Sequence, residues 1–162
     1  MKKAKRLIPI SLTLISIFWF STPAHGFSNE HECLALNIYH EARNLSLHGR
    51  IAVAMTTMNR VRHLRFPNTV CDVITEGRNW KGNPIRHKCQ FSWWCDGKSD
   101  KPFEKAAWEN AKVVASAVLA GYEHMTDMTG GSLWYHADYV KHPFFRTVRM
   151  TKKIDTHIFY GE

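Results

Sequence analysis

The chain has 162 residues, with 22 basic side chains against 14 acidic ones and a formal charge of +8. Four of the bases fall in the first 26 residues, so residues 27–162 carry 18 against 14, an excess of only four. That mild excess, with no dense Lys/Arg block, disfavours a nucleic-acid partner and suits an anionic polymer such as a cell wall or envelope surface.

Residues 1–26 read as a secretory signal peptide. Lys2, Lys3, Lys5 and Arg6 precede an apolar run from Leu7 to Phe20, and Ala24-His25-Gly26 offers small residues for cleavage before Phe27. The run is short for a membrane span, so no stable span is expected after cleavage. The exported part, residues 27–162, is long enough for one domain with a real core, expected as a monomer in the periplasm or outside the cell.

A first helix is predicted over Glu30–Arg43, where Leu34, Ile38 and Ala42 share a face beside Ala35 and Tyr39. Glu41 lies at the border of that face, in the last turn, before the terminator Asn44. A carboxyl partly withdrawn from water holds its proton to higher pH, as a general acid near neutrality requires. By itself this is more often the pattern of an ordinary charged helix end.

A second helix, Leu47–Leu64, carries Ile51, Ala54, Met55, Met58 and Val61 at helical spacing. Phe66-Pro67-Asn68 ends it, and Val70–Thr75 suits a short third helix. Residues 77–100, rich in Gly, Asn, Lys and Trp, are expected to be the least regular region. A long helix follows over Phe103–Ala120, between Pro102 and Gly121. After Gly130-Gly131, the segments 133–136, 145–150 and 156–160 are aromatic and β-branched and read as strands. The expected fold is α+β, a mainly helical body with a small antiparallel β subdomain near the C-terminus.

All four cysteines, Cys33, Cys71, Cys89 and Cys95, lie in the exported part, which points to two disulfides. Three pairings are possible; the short loop between Cys89 and Cys95 favours that pair, leaving Cys33 with Cys71. A zinc site is the rival, but the 89/95 spacing is too wide for a usual knuckle and no second close pair exists. His31-Glu32 lacks the second histidine of an H-E-x-x-H motif, so no metal or other cofactor is expected.

Five segments, in order, resemble the SleB/CwlJ-type cell-wall hydrolases. Tyr39-His40-Glu41-Ala42-Arg43 is similar to that family's Y-x-E-A-R element, and Met58-Asn59-Arg60-Val61 to its N-R-V helix. The segment 66–74 resembles the F-P-x-T-V-C-x-V-I turn, Gln90-Phe91-Ser92-Trp93 the Q-F-S-W loop, and 131–136 the late aromatic strand. His40 stands where a small residue is frequent, and Asn44-Leu45 replace a common Gly-Glu. The resemblance implies a lysozyme/lytic-transglycosylase-like body, peptidoglycan as partner, cleavage between N-acetylmuramic acid and N-acetylglucosamine, and Glu41 as the essential glutamate.

Glycosidic cleavage usually employs two carboxylates. Asp72, Asp96, Asp127 and Asp138 are candidates for a second, but none sits in a motif that demands it. A single-carboxylate lytic transglycosylase, giving 1,6-anhydro-muropeptides with Glu41 as acid and then base, is therefore expected ahead of a hydrolytic muramidase. Gln90, Ser92, Tyr135, Trp93 and Trp134 are candidate substrate-binding residues, Trp94 could also stack on a sugar, and Arg43 is expected to pair within its helix end. An N-acetylmuramoyl-L-alanine amidase and a non-catalytic wall-binding protein are the alternatives.

Overall fold

The computed structural model describes residues 25–162, with side chains from Asn29 onward. The predicted signal peptide lies outside the described residues, save for its last two positions. Four helices form the body: α1 (His25–Ala42), α2 (Leu47–Arg62), α3 (Val70–Thr75) and α4 (Lys105–Gly121). A hairpin, β1 (Gly77–Trp80) and β2 (Asn83–Cys89), leads to a 3-10 turn at Ser92–Cys95. Strands β3 (Trp134–Ala137), β4 (Arg149–Ile154) and β5 (His157–Gly161) make an antiparallel sheet in the order β3-β5-β4. This is the expected α+β arrangement.

Helix α1 is the centre of the body because its apolar stripe is wide enough to meet three other helices. Leu34, Ala35, Ile38 and Tyr39 are fully buried in one cluster with residues of α2, α3 and α4. Small residues let α4 approach closely: Ala111 and Ala115 are buried alongside Val114 and Val118. The Glu30 carboxylate accepts from the Val70 amide at 2.6 Å, and the Thr69 hydroxyl accepts from the Asp72 amide at 3.1 Å. Together they satisfy the free amides at the start of α3. The cysteines form two disulfides, Cys33–Cys71 between α1 and α3 and Cys89–Cys95 at the foot of the hairpin.

Three sequence expectations are corrected. Residues 77–89 are a β-hairpin, not irregular chain. Its two-residue turn, Lys81-Gly82, has both residues at positive φ (51° and 81°), as a type I′ turn requires. Every position from Gly77 to Lys88 is exposed, so no alternation of apolar and polar residues betrayed the strands. Helix α4 begins at Lys105, because Phe103 and Glu104 give their amides to the Tyr39 hydroxyl at 3.2 Å each. The strand expected at 145–150 begins only at Arg149. Pro143 and the His142 ring, which accepts from the Phe144 amide at 3.2 Å, wind residues 143–146 into a 3-10 turn instead.

Candidate active site

Each residue of Tyr39-His40-Glu41-Ala42-Arg43 has a separate structural task. Tyr39 is buried and its hydroxyl receives the start of α4. His40 stacks on Trp93, ring centroids 4.5 Å apart, and its Nε2 lies 3.0 Å from the Asp100 carbonyl oxygen. Ala42 is buried. Arg43 pairs with Glu104 at 3.0 Å, tying the end of α1 to the start of α4 rather than closing within its own helix end. Glu41 faces neither the core nor open solvent. It lines a groove of about 1540 Å³ between the helical body and the small sheet. That exceeds the size usual for a small-molecule pocket and suits a segment of a polymer.

Burial pushes the Glu41 carboxyl up to about 7, against the opposing pull of the Tyr135 hydroxyl and the Arg60 guanidinium. The group keeps some exposed surface toward the groove. It therefore holds a proton near neutrality at a place a bound chain can reach. The Tyr135 hydroxyl is buried and meets no partner at full hydrogen-bond geometry, yet it stands close enough to Glu41 to favour the ionised form. Burial and the Glu41 charge together keep that phenol protonated well beyond its ordinary range.

Arg60 is the buried cation of the site. Its Nε donates to the Leu133 carbonyl at 2.6 Å, and its guanidinium lies between the rings of Phe66 (5.2 Å) and Phe91 (5.1 Å). Burial lowers its pKa, while Tyr135, Glu76 and Glu41 around it act the other way. The preceding residue completes the N-R-V motif. Asn59 Nδ2 donates to Asp127 and to the Ser132 carbonyl, each at 3.0 Å. Asp127 in turn accepts from the Thr129 and Gly131 amides. Helix α2 thus fixes the loop that delivers β3, and with it Tyr135, to the groove.

The Q-F-S-W segment is divided by the fold. Gln90 and Ser92 are exposed and line the groove. Phe91 is buried under Arg60. Trp93 is only 8% exposed, and its Nε1 donates to Asn37 Oδ1 at 3.2 Å. Asn37, one turn before Glu41, donates in turn to the Thr57 hydroxyl at 3.0 Å, so one buried amide joins α1, α2 and this loop. Trp93 is thus mostly core, with only an edge on the groove, which leaves little of its ring for a sugar face. Trp134 keeps an accessible face in the groove, between Phe66 and Phe144 at centroid distances of 6.3 and 5.4 Å. Trp94 packs against the core outside the main groove.

None of the four aspartates considered as a second carboxylate reaches the groove. The residue missed is Glu76, at the end of α3. It lines the groove, faces Arg60, and has a buried Oε2 without a hydrogen-bond partner. Its place between the short helix and Gly77 was the available sequence signal; in the fold the Gln90 amide donates to its carbonyl at 2.9 Å. Among the described residues no group of three or more His, Cys, Asp or Glu converges as a metal site would. His136 is engaged by the Ala137 carbonyl (2.7 Å) and the Tyr160 hydroxyl (3.0 Å).

The family model described as Cell Wall Hydrolase matches residues 45–160. The matched stretch begins just past Glu41. Two Bacillus cereus proteins named spore cortex-lytic enzyme are 31% identical over 137 residues, which is 83% of this chain and 46% of theirs. The chain thus spans about half the length of the curated relatives it matches. Among solved structures, the catalytic domain of the germination-specific lytic transglycosylase SleB from Bacillus anthracis is 30% identical, with a TM-score of 0.64. The match covers 86% of this chain and all of that one. The catalytic domain of the Bacillus cereus SleB protein is 28% identical at a TM-score of 0.60, covering 86% of this chain and 95% of that one.

Proposed function

We propose, for a chain that belongs to the cell wall hydrolase family, that it is an exported enzyme cutting peptidoglycan glycan strands as a lytic transglycosylase. The observation that carries this reading is a carboxyl with a pKa of about 7 on the wall of a polymer-sized groove, Glu41. Glu41 gives its proton to the glycosidic oxygen as the bond from muramic acid C1 to that oxygen breaks. The resulting carboxylate stabilises the oxocarbenium-like centre beside the Tyr135 hydroxyl. It then takes the proton of the muramic acid's own C6 hydroxyl as that oxygen bonds to C1. The product is a 1,6-anhydro sugar, no water is consumed, and Glu41 ends protonated as it began.

Gln90, Ser92 and Trp134, which line the groove, are the proposed contacts for sugar hydroxyls, acetamido groups and sugar faces. Two disulfides fit an oxidising compartment, and the basic, apolar start of the sequence fits export by a signal peptide of residues 1–26. We place the protein in the periplasm or outside the cell, acting as a monomer.

A second reading, hydrolysis by water, is favoured by Glu76, a second carboxylate in the same groove. One experiment separates the two: mass spectrometry of muropeptides released from purified sacculi by the protein and by Glu41→Gln and Glu76→Gln. Anhydro-muropeptides from the wild type and Glu76→Gln, with release by Glu41→Gln lower by on the order of 10³-fold, is the expected result. Reducing-end muramic acid that disappears in Glu76→Gln assigns a hydrolase with Glu76 as its base. Released stem peptides with intact glycan refute glycan cleavage altogether.

A further inference from the structure

The β1–β2 hairpin is a strongly basic arm at the rim of the groove, and the glycan reading does not use it. Residues 77–88 contain Arg78, Lys81, Arg86 and Lys88 and not one acidic side chain. Those four charges equal the whole positive excess of residues 27–162, so the remainder of the exported part is balanced. Among the described residues, none of the four pairs with a carboxylate. Arg86 donates to the Asp96 carbonyl at 2.9 Å, which orients it without neutralising it.

The arm is rigidly based and exposed along its length. The Cys89–Cys95 disulfide holds its foot, and Gly77 permits the close approach there, since a Cβ would lie 2.9 Å from Cys89 Sγ. Gly77, Arg78 and Lys88 border the groove that holds Glu41. Trp80 is 70% exposed next to the turn. The turn itself is built against local preference. Lys81 has φ 51°, where asparagine or glycine would fit better, and a lysine there costs conformational energy. Strain of this kind is retained where a side chain is needed in place.

The sugars of a peptidoglycan strand are largely N-acetylated and uncharged, so they offer these cations nothing. The peptide stems that hang from the muramic acid residues carry free carboxylates. We propose that the hairpin binds the carboxylates of the peptide stems on the strand seated in the groove, making the protein a reader of stem-bearing rather than bare glycan. This rests on the groove being a glycan site. Exposed charges act over about 8 Å at physiological salt, so the stems must lie against the arm itself.

The test compares binding to intact sacculi, to sacculi stripped of stems by an amidase, and to phosphatidylglycerol vesicles. It is made in the Glu41→Gln protein with and without Arg78→Gln/Lys81→Asn/Lys88→Gln. Lys81→Asn relaxes the turn, so a thermal melt reports whether the fold is kept. The expected result is a Kd for intact sacculi raised about tenfold by the three substitutions, with binding to stripped sacculi equal in both proteins. Equal binding to intact sacculi overturns the proposal, as does an equal loss on stripped sacculi. A loss confined to the vesicles also overturns it and assigns the arm to a membrane surface. Muropeptide release by the wild-type protein is scored separately. Hairpin-dependent binding to stems without any release would refute the glycan-cleavage reading while leaving stem binding standing.

Discussion

A carboxyl raised from 4.5 to about 7 imposes a stability cost that depends on pH in one direction only. Below pH 4.5 Glu41 is protonated in both the folded and unfolded chain, and its burial carries no ionic penalty. Between those two values the unfolded chain releases its proton while the folded chain keeps it, so stability falls as pH rises. Above pH 7 the folded protein holds a buried charge, and the full cost is reached. That cost is about 3 kcal/mol, from roughly 1.4 kcal/mol per pKa unit. Glu41→Gln keeps the shape and removes the titration. Urea unfolding of both proteins across pH 4–8 should show the variant gaining up to about 3 kcal/mol relative to the wild type, with nearly all of the gain appearing between pH 4.5 and 7.5. Other titrating groups cancel in the difference. Wild-type kcat/KM should fall over the same upper range, about tenfold per pH unit above 7, as the acid is lost. Parallel stability curves for the two proteins, or a rate that stays flat to pH 9, would refute the assignment of a buried, protonated Glu41.

Tyr135→Phe removes the hydroxyl that favours the ionised form of Glu41, so the descending limb of the pH–rate profile should move to higher pH; a limb that stays in place would mean the phenol does not act on this carboxyl. Replacing Cys33 and Cys71 by serine opens a loop with a sequence separation of 38 and should cost about 4 kcal/mol, read as a lower urea midpoint in the oxidised protein. Asn37→Ala strands the Trp93 indole N–H in the core and removes a donor from the Thr57 hydroxyl, which keeps its bond to the Val53 carbonyl. It should destabilise by about 2–3 kcal/mol and lower activity through displacement of the Gln90–Trp93 segment, seen as a change in tryptophan fluorescence.

The stripe Leu34-Ile38-Ala42 and the motif after it told where α1 runs and that Glu41 sits at its edge, because helical periodicity alone places a residue relative to a buried face. Val70–Thr75 was equally legible, just after the break at Phe66-Pro67-Asn68. The β-hairpin was not. Periodicity reports burial on one side, and an arm exposed on both sides has none to report. The strand expected at Phe145 failed for a related reason: aromatic residues are compatible with a sheet, but the His142 cap and Pro143 act locally and wind a turn first.

By itself, then, the order of residues determined the helical body, the cysteines available for pairing, and the glutamate worth examining. Only the tertiary structure decided what surrounds that glutamate. Arg60 and Tyr135 come from α2 and β3, and Glu76 from the end of α3, each from a different part of the chain. Trp93 and Gln90 are three residues apart and both border the groove, yet the indole is nearly all buried in the core while the amide stands exposed. The reason is physical: a carboxyl's pKa and a ring's accessibility depend on dielectric and neighbours within a few ångströms, and those distances exist only once the chain has folded.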